Sequence, residues 1–117
     1  MFDFMCVTKA LSDENRVRIL LALRGKELCV CQLIELLQLA PSTVSKHLSI
    51  LRQARMITSR KEGRWMYYRL VKNPSYAAVG DALDWVVKSV KNDPLIKNDD
   101  VRLNKILSQS PEILCPQ

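Results

Sequence analysis

No run of apolar residues in this chain approaches the roughly 20 that a membrane-spanning helix needs. The opening stretch "MFDFMCVTKALSDENR" has no basic head leading into an apolar core, the mark of a secretory signal. The chain is therefore expected to be cytoplasmic, with no membrane contact. It contains one histidine, His47, and three glycines. It shows no Ser/His/acid arrangement and no glycine-rich phosphate loop, so an enzyme is not expected. There is no internal repeat and no low-complexity segment.

What is present is a chain of 117 residues, 48% of them hydrophobic. That supports one core in one small domain, whose stability would gain from association with a second copy. Lys and Arg number 18 against 12 Asp and Glu, a formal charge of +6. Polyanions such as nucleic acid are the first partners to consider. Four cysteines, Cys6, Cys29, Cys31 and Cys115, suit free thiols or metal ligands in a reducing compartment better than structural disulfides.

Apolar periodicity orders the chain. Phe4, Val7, Ala10 and Leu11 mark a short N-terminal helix. Val17, Leu20, Leu21 and Leu23 mark a second, with Ser12 or Asp13 as its cap and Gly25 as its stop. In "CVCQLIELLQL", Val30, Leu33, Ile34 and Leu37 share a face, and Cys29 at the N-cap would place Gln32 where a capping-box partner belongs. A thiol caps poorly compared with Ser or Thr, so Cys29 gives up some local stability at that position.

Pro41 opens the next helix, with Val44, Leu48 and Leu51 on one side and Ser42, Ser45, Lys46, Ser49 and Gln53 opposite. Two helices joined by a short turn, the second with a small-polar and basic outer face, form a helix-turn-helix layout. "MITSRKEGRWMYYRL" then changes to a period of two, with Gly63 at the turn of a β-hairpin whose tip carries Arg60, Lys61 and Arg64. Tyr76, Val79, Leu83, Val86, Val87 and Val90 give a longer helix suited to dimerisation. After Pro94 a weaker helix, "DDVRLNKILSQ", precedes "PEILCPQ". The expected fold is mainly α with a β-hairpin wing, a homodimeric winged helix-turn-helix. Residues 1–92 form the DNA-binding and dimerisation domain, and 93–117 an extension.

The run "ALSDENRVRIL", "STVSKHLSILRQA" and "GRWMYYRL" resembles the winged helix-turn-helix repressors of the ArsR/SmtB family over about residues 7 to 90. "ELCVC" is similar to the thiol motif of its arsenic/antimony-responsive and cadmium/lead-responsive members. The resemblance implies a homodimer joined by its first and last domain helices, bound to operator DNA and released by a metal or metalloid ion, with no permanent cofactor. One departure is Arg55, where the family usually has Gly.

Ser42, Thr43 and Ser45 carry short donors and acceptors near a helix N-terminus, and Lys46 and Arg52 suit phosphates, as do Arg60, Lys61 and Arg64. The family's S-x-H-L pattern adds His47 as a DNA contact, against the alternative of a half-buried packing residue. Trp65 and Tyr67 read as hairpin packing.

On a regular helix Cys29 and Cys31 would point about 200° apart, so both can grip one ion only if the first turn loosens. Binding of that kind would tilt the adjoining recognition helix. A helix N-terminus favours the thiolate, the form that binds soft ions. The alternative is two small buried apolar residues.

The resembled arsenic sensors have a third cysteine where this chain has Ile34, which leaves Cys6 and Cys115 as candidates for the third thiolate. As(III) or Sb(III) is the expected inducer, with Pb(II) or Cd(II) as alternatives. The last helix offers Asp81 and Asp84 without a histidine, which disfavours zinc there. Other readings are a thiol redox or sulfide sensor, a thiol oxidoreductase, disfavoured by C-x-C spacing, and a protein-interaction module, disfavoured by the basic wing.

Overall fold

In a computed structural model of the chain, which describes residues 1–74, 76–110 and 114, some of the helices begin where a side chain satisfies a leading N–H donor. Helix α1 covers Phe2–Leu11. Helix α2 covers Glu14–Ala22 and is capped by Asp13, whose Oδ1 accepts from the N–H groups of Asn15 at 2.8 Å and Arg16 at 3.2 Å. Gly25 follows at φ +64, a left-handed turn that glycine takes without strain. Of the two caps the sequence offers, Asp13 is the one used, because its carboxylate is an acceptor for two donors at once.

Strand β1 is only Leu28–Cys29, too short to show any alternation in sequence. Cys29 then serves as the N-cap of α3, Val30–Leu37. Its backbone N–H donates to Gln32 Oε1 at 2.8 Å, which closes the capping box expected from the spacing. Helix α4, Pro41–Gln53, has proline at its first position. After it Arg55 adopts φ +62, a conformation that costs a non-glycine residue about 1 kcal/mol. Strands β2, Ile57–Glu62, and β3, Trp65–Leu70, meet at Gly63, and β1 adds to the far side of β3, giving an antiparallel sheet in the order β1-β3-β2. Cys29, Tyr67 and Arg60 lie in one cross-strand row of that sheet.

Helix α5 covers Ala77–Val90 and α6 covers Pro94–Leu107. The latter starts five residues before the "DDVRLNKILSQ" expected from apolar spacing, because Asp93 accepts from the N–H of Leu95 and Pro94 follows that cap. The helix buries Ile96, Leu103 and Ile106 in the same core as Leu20, Leu33, Leu48, Leu51 and Met56, packing on α2 and α3. Polar pins hold it there. Arg18 donates to both Asp99 oxygens, at 2.8 and 2.9 Å, and both side chains are almost wholly buried. Arg24 meets Asp100 at 2.7 Å, and Arg102 donates to the Glu35 carbonyl of α3 at 3.2 Å.

Removing one member of a buried ion pair leaves the other desolvated and uncompensated. Asp99→Asn should therefore cost about 3 kcal/mol of folding stability by urea unfolding, whereas Asp100→Asn, at a more exposed pair, should cost well under half of that. The Asp13 carboxyl would be raised by burial, but the N–H groups of Arg16 and Asn15 outweigh that and hold it below its ordinary 3.8. Its stabilisation is present above that value and lost as pH falls through the lower folded-state value. Asp13→Ala should cost about 1 kcal/mol at neutral pH, and its deficit against wild type should shrink in acid, measured by thermal unfolding from pH 7 to pH 2.

Candidate nucleic-acid interface and thiol site

The outer face of α4 is built by subtraction. Val44, Leu48 and Leu51 are buried, which turns Ser42, Ser45, Lys46 and Ser49 to solvent and leaves Thr43 and His47 half-buried beside them. Arg52 is exposed at the end of the helix. An open depression follows, lined by Arg52, Arg55, Thr58 and Ser59, so Arg55 adds a cation to this face. In sequence Arg55 is only a departure at a turn; in the fold its side chain is exposed at a residue of positive φ.

On the wing, the three expected cations are not equivalent. Arg60 donates to Glu27 Oε2 and Oε1 at 2.9 and 2.7 Å and to Glu62 Oε1 at 3.2 Å, and its guanidinium lies 4.8 Å from the centre of the Tyr67 ring. The Arg60 bond holds the Glu27 carboxyl below its ordinary range. Arg60 is thus matched to carboxylates of its own chain, while Lys61 and Arg64 are exposed at the tip. Arg64 lies 5.0 Å from the centre of the Trp65 ring. Tyr67 and Trp65 act as platforms for arginines, in keeping with the packing role read from the sequence.

His47 faces a residue that sequence reasoning missed. Arg16, on α2, is buried; its Nε donates to the Ala10 carbonyl at 3.0 Å, its Nη2 to the Lys9 carbonyl at 2.9 Å, and its Nη1 lies 3.2 Å from His47 Nδ1. One guanidinium therefore joins the end of α1 to the recognition helix. No sequence signal distinguishes Arg16 from the neighbouring Arg18, because both read as solvated helix positions.

The thiols are placed as follows. Cys29 is free and wholly buried at the junction of β1 and α3, with extended backbone at φ −73 and ψ 149. It precedes the regular helix, so the opposed directions expected of two helical cysteines do not apply; its constraint is burial and strand pairing opposite Tyr67. Burial first, and then the neighbouring Cys29, push the Tyr67 phenol up.

Cys31 is in the first turn of α3, half-buried and disulfide-bonded, a departure from the free thiols or metal ligands expected of the cysteines. Cys6 is free and half-buried on α1, which packs on α2, α4 and α5. Cys115 lies outside the described residues. Among the described residues no three His, Cys, Asp or Glu side chains come together as metal ligands. No helix is long and apolar enough to cross a membrane among the described residues.

Comparison with known proteins agrees with this layout. A family model described as "Bacterial regulatory protein, arsR family" matches residues 13–59. The arsenic resistance transcriptional regulator ArsR1 of Pseudomonas putida is 38% identical over 100 residues, 83% of this chain and 74% of the relative. Among solved structures, HlyU from Vibrio cholerae superposes with a TM-score of 0.66 at 28% identity, over 77% of this chain and 94% of that one. The AntR antimony-specific transcriptional repressor superposes with a TM-score of 0.58 at 27% identity, over 75% and 77%.

Binding of a fluorescein-labelled promoter duplex should fall steeply with salt, each phosphate contact adding about 0.9 to the log–log slope. Lys61→Ala should lower that slope by about one contact, whereas Arg60→Ala, whose charge is already matched by Glu27 and Glu62, should lower it by less.

Proposed function

Because the chain belongs to the arsR family of bacterial regulatory proteins, and so is a DNA-binding transcriptional repressor and not an enzyme, we propose that it holds its operator as a homodimer and releases it when As(III) or Sb(III) is taken up by Cys29 and Cys31. The observation that carries this reading is a buried thiol at a helix cap, two residues before a second cysteine in the first turn, whose sulfur binds an ion once its disulfide is reduced. A soft trivalent ion is suited by such donors. Two thiolates fit it and a third is required; Cys6 from the second subunit, or Cys115, would complete the set. The relatives named for arsenic and antimony support the choice of ion.

The dimer reading rests on exposed apolar surface. Phe2 and Phe4 on α1 are 69% and 51% exposed and Trp85 on α5 is 65% exposed, beside an apolar groove of Leu11, Val17, Val86 and Val90. A second copy would cover that area.

The protein's part in the switch follows from Cys29. To turn its sulfur towards a shared ion, Cys29 must leave its buried position. That strains the bond from its N–H to Gln32 and the two-residue pairing of β1 with β3. Loosening α3 there displaces α4, which packs on it, and lowers affinity for DNA.

A second reading is favoured by one observation, the disulfide at Cys31. Two thiols would give up two electrons and two protons to a peroxide-class oxidant, forming an S–S bond and water, and a dithiol would reverse it.

Cys29→Ser and Cys31→Ser should each bind the promoter duplex like wild type under reducing conditions and fail to dissociate with arsenite, by fluorescence anisotropy. Release of both variants by arsenite would overturn the ligand assignment. Release of wild type by peroxide and not by arsenite would establish the second reading in its place. Cys6→Ser and Cys115→Ser should differ from each other in arsenite response, the weaker responder carrying the third thiolate.

A further inference from the structure

His47 is the chain's single imidazole, and its surroundings restrict it in a way the DNA-binding reading does not require. A guanidinium carries five N–H donors and no acceptor, and it stays charged. Arg16 Nη1 at 3.2 Å from His47 Nδ1 can therefore only donate, and Nδ1 can only accept. A neutral imidazole with an accepting Nδ1 carries its proton on Nε2. The ring's one donor is then fixed at the end opposite Arg16.

The lock is stiff because Arg16 is itself held. Its Nε and Nη2 are committed to the Ala10 and Lys9 carbonyls, the last acceptors of α1, which also place the positive charge at that helix's negative end. Arg16 is buried, and Asp13, whose carboxylate lies within electrostatic reach of both Arg16 and His47, is tied to backbone N–H groups.

We infer that Arg16 is a positioning residue for DNA recognition, fixing His47 with Nδ1 turned inwards so that Nε2–H is presented to DNA from the edge of the recognition helix. The inference rests on the reading of His47 as a DNA contact and assigns that contact its proton and its support. It also links the α1 end to the DNA-reading helix through a single side chain. A displacement of the end of α1 would reach His47 directly.

Since there is one histidine, its imidazole signals need no assignment. The two-bond ¹H–¹⁵N spectrum of the full-length protein without DNA should show neutral His47 with its proton on Nε2. A proton on Nδ1 would overturn the lock. Arg16→Met should convert that spectrum to a mixture of tautomers and weaken binding of the promoter duplex about five- to tenfold, the worth of one hydrogen bond. In a His47→Gln background, where the amide donor stands near the Nε2 position, Arg16→Met should cause no further loss. An equal loss in both backgrounds would show that Arg16 acts only on the fold and would overturn the proposal.

Should Arg16→Met fail to fold, two variants at His47 carry the test. His47→Gln should keep most of the affinity, and His47→Asn, whose donor stands near the Nδ1 position, should lose it; the reverse order overturns the proposal. If His47→Ala binds DNA like wild type, the contact reading itself fails, and the DNA-free spectrum separates that failure from a failure of the lock.

Discussion

Cys29 is bound by three obligations at once, and the arrangement of the DNA-reading half depends on them. It ends β1, it caps α3, and its side chain is excluded from water. A serine would cap better, and an alanine would pack as easily, but only a thiol combines adequate burial with affinity for soft ions. Because strand pairing and helix capping meet in one residue, a change there cannot stay local. The sheet is attached on one side and the helix-turn-helix on the other.

The charge of the protein is divided between recognition and construction. Arg16, Arg18 and Arg60 are spent on carbonyls, an imidazole and carboxylates of the chain itself. Lys46, Arg52, Arg55, Lys61 and Arg64 are exposed and form an arc from α4 to the wing tip. Asp99 with Arg18 and Asp100 with Arg24 are paired away from that arc, whereas Glu27 and Glu62 are matched to Arg60 on the wing itself.

The parts of the fold governed by periodicity and punctuation were legible in the sequence. Pro41 with Val44, Leu48 and Leu51 suffices for α4, and the Cys29/Gln32 spacing suffices for the capping box. What stayed hidden depends on tertiary contact. Strand β1 has two residues and no pattern of its own; it exists because β3 offers a free edge. The first turns of α6 lack a regular apolar stripe and are fixed by Asp93 and by docking on α2 and α3. Arg16 and His47 are 31 positions apart, and nothing local marks either for the other. Of the four cysteines, the proximity of Cys29 and Cys31 was visible in the sequence, whereas the half-buried place of Cys6 on α1 and the disulfide at Cys31 were not.

Helix α6 gives α3 a second neighbour. Arg102 on the Glu35 carbonyl, and the apolar side chains of α6 seated against α3, place that helix between α4 and the C-terminal segment. Under the proposed switch, α3 must move while still gripped from behind, and the work of loosening that grip is subtracted from what effector binding can deliver. Every 1.4 kcal/mol of it raises the effector concentration needed for release about tenfold. Under that proposal the C-terminal helix would set the threshold, its packing fixing how much ion must accumulate before the operator is vacated.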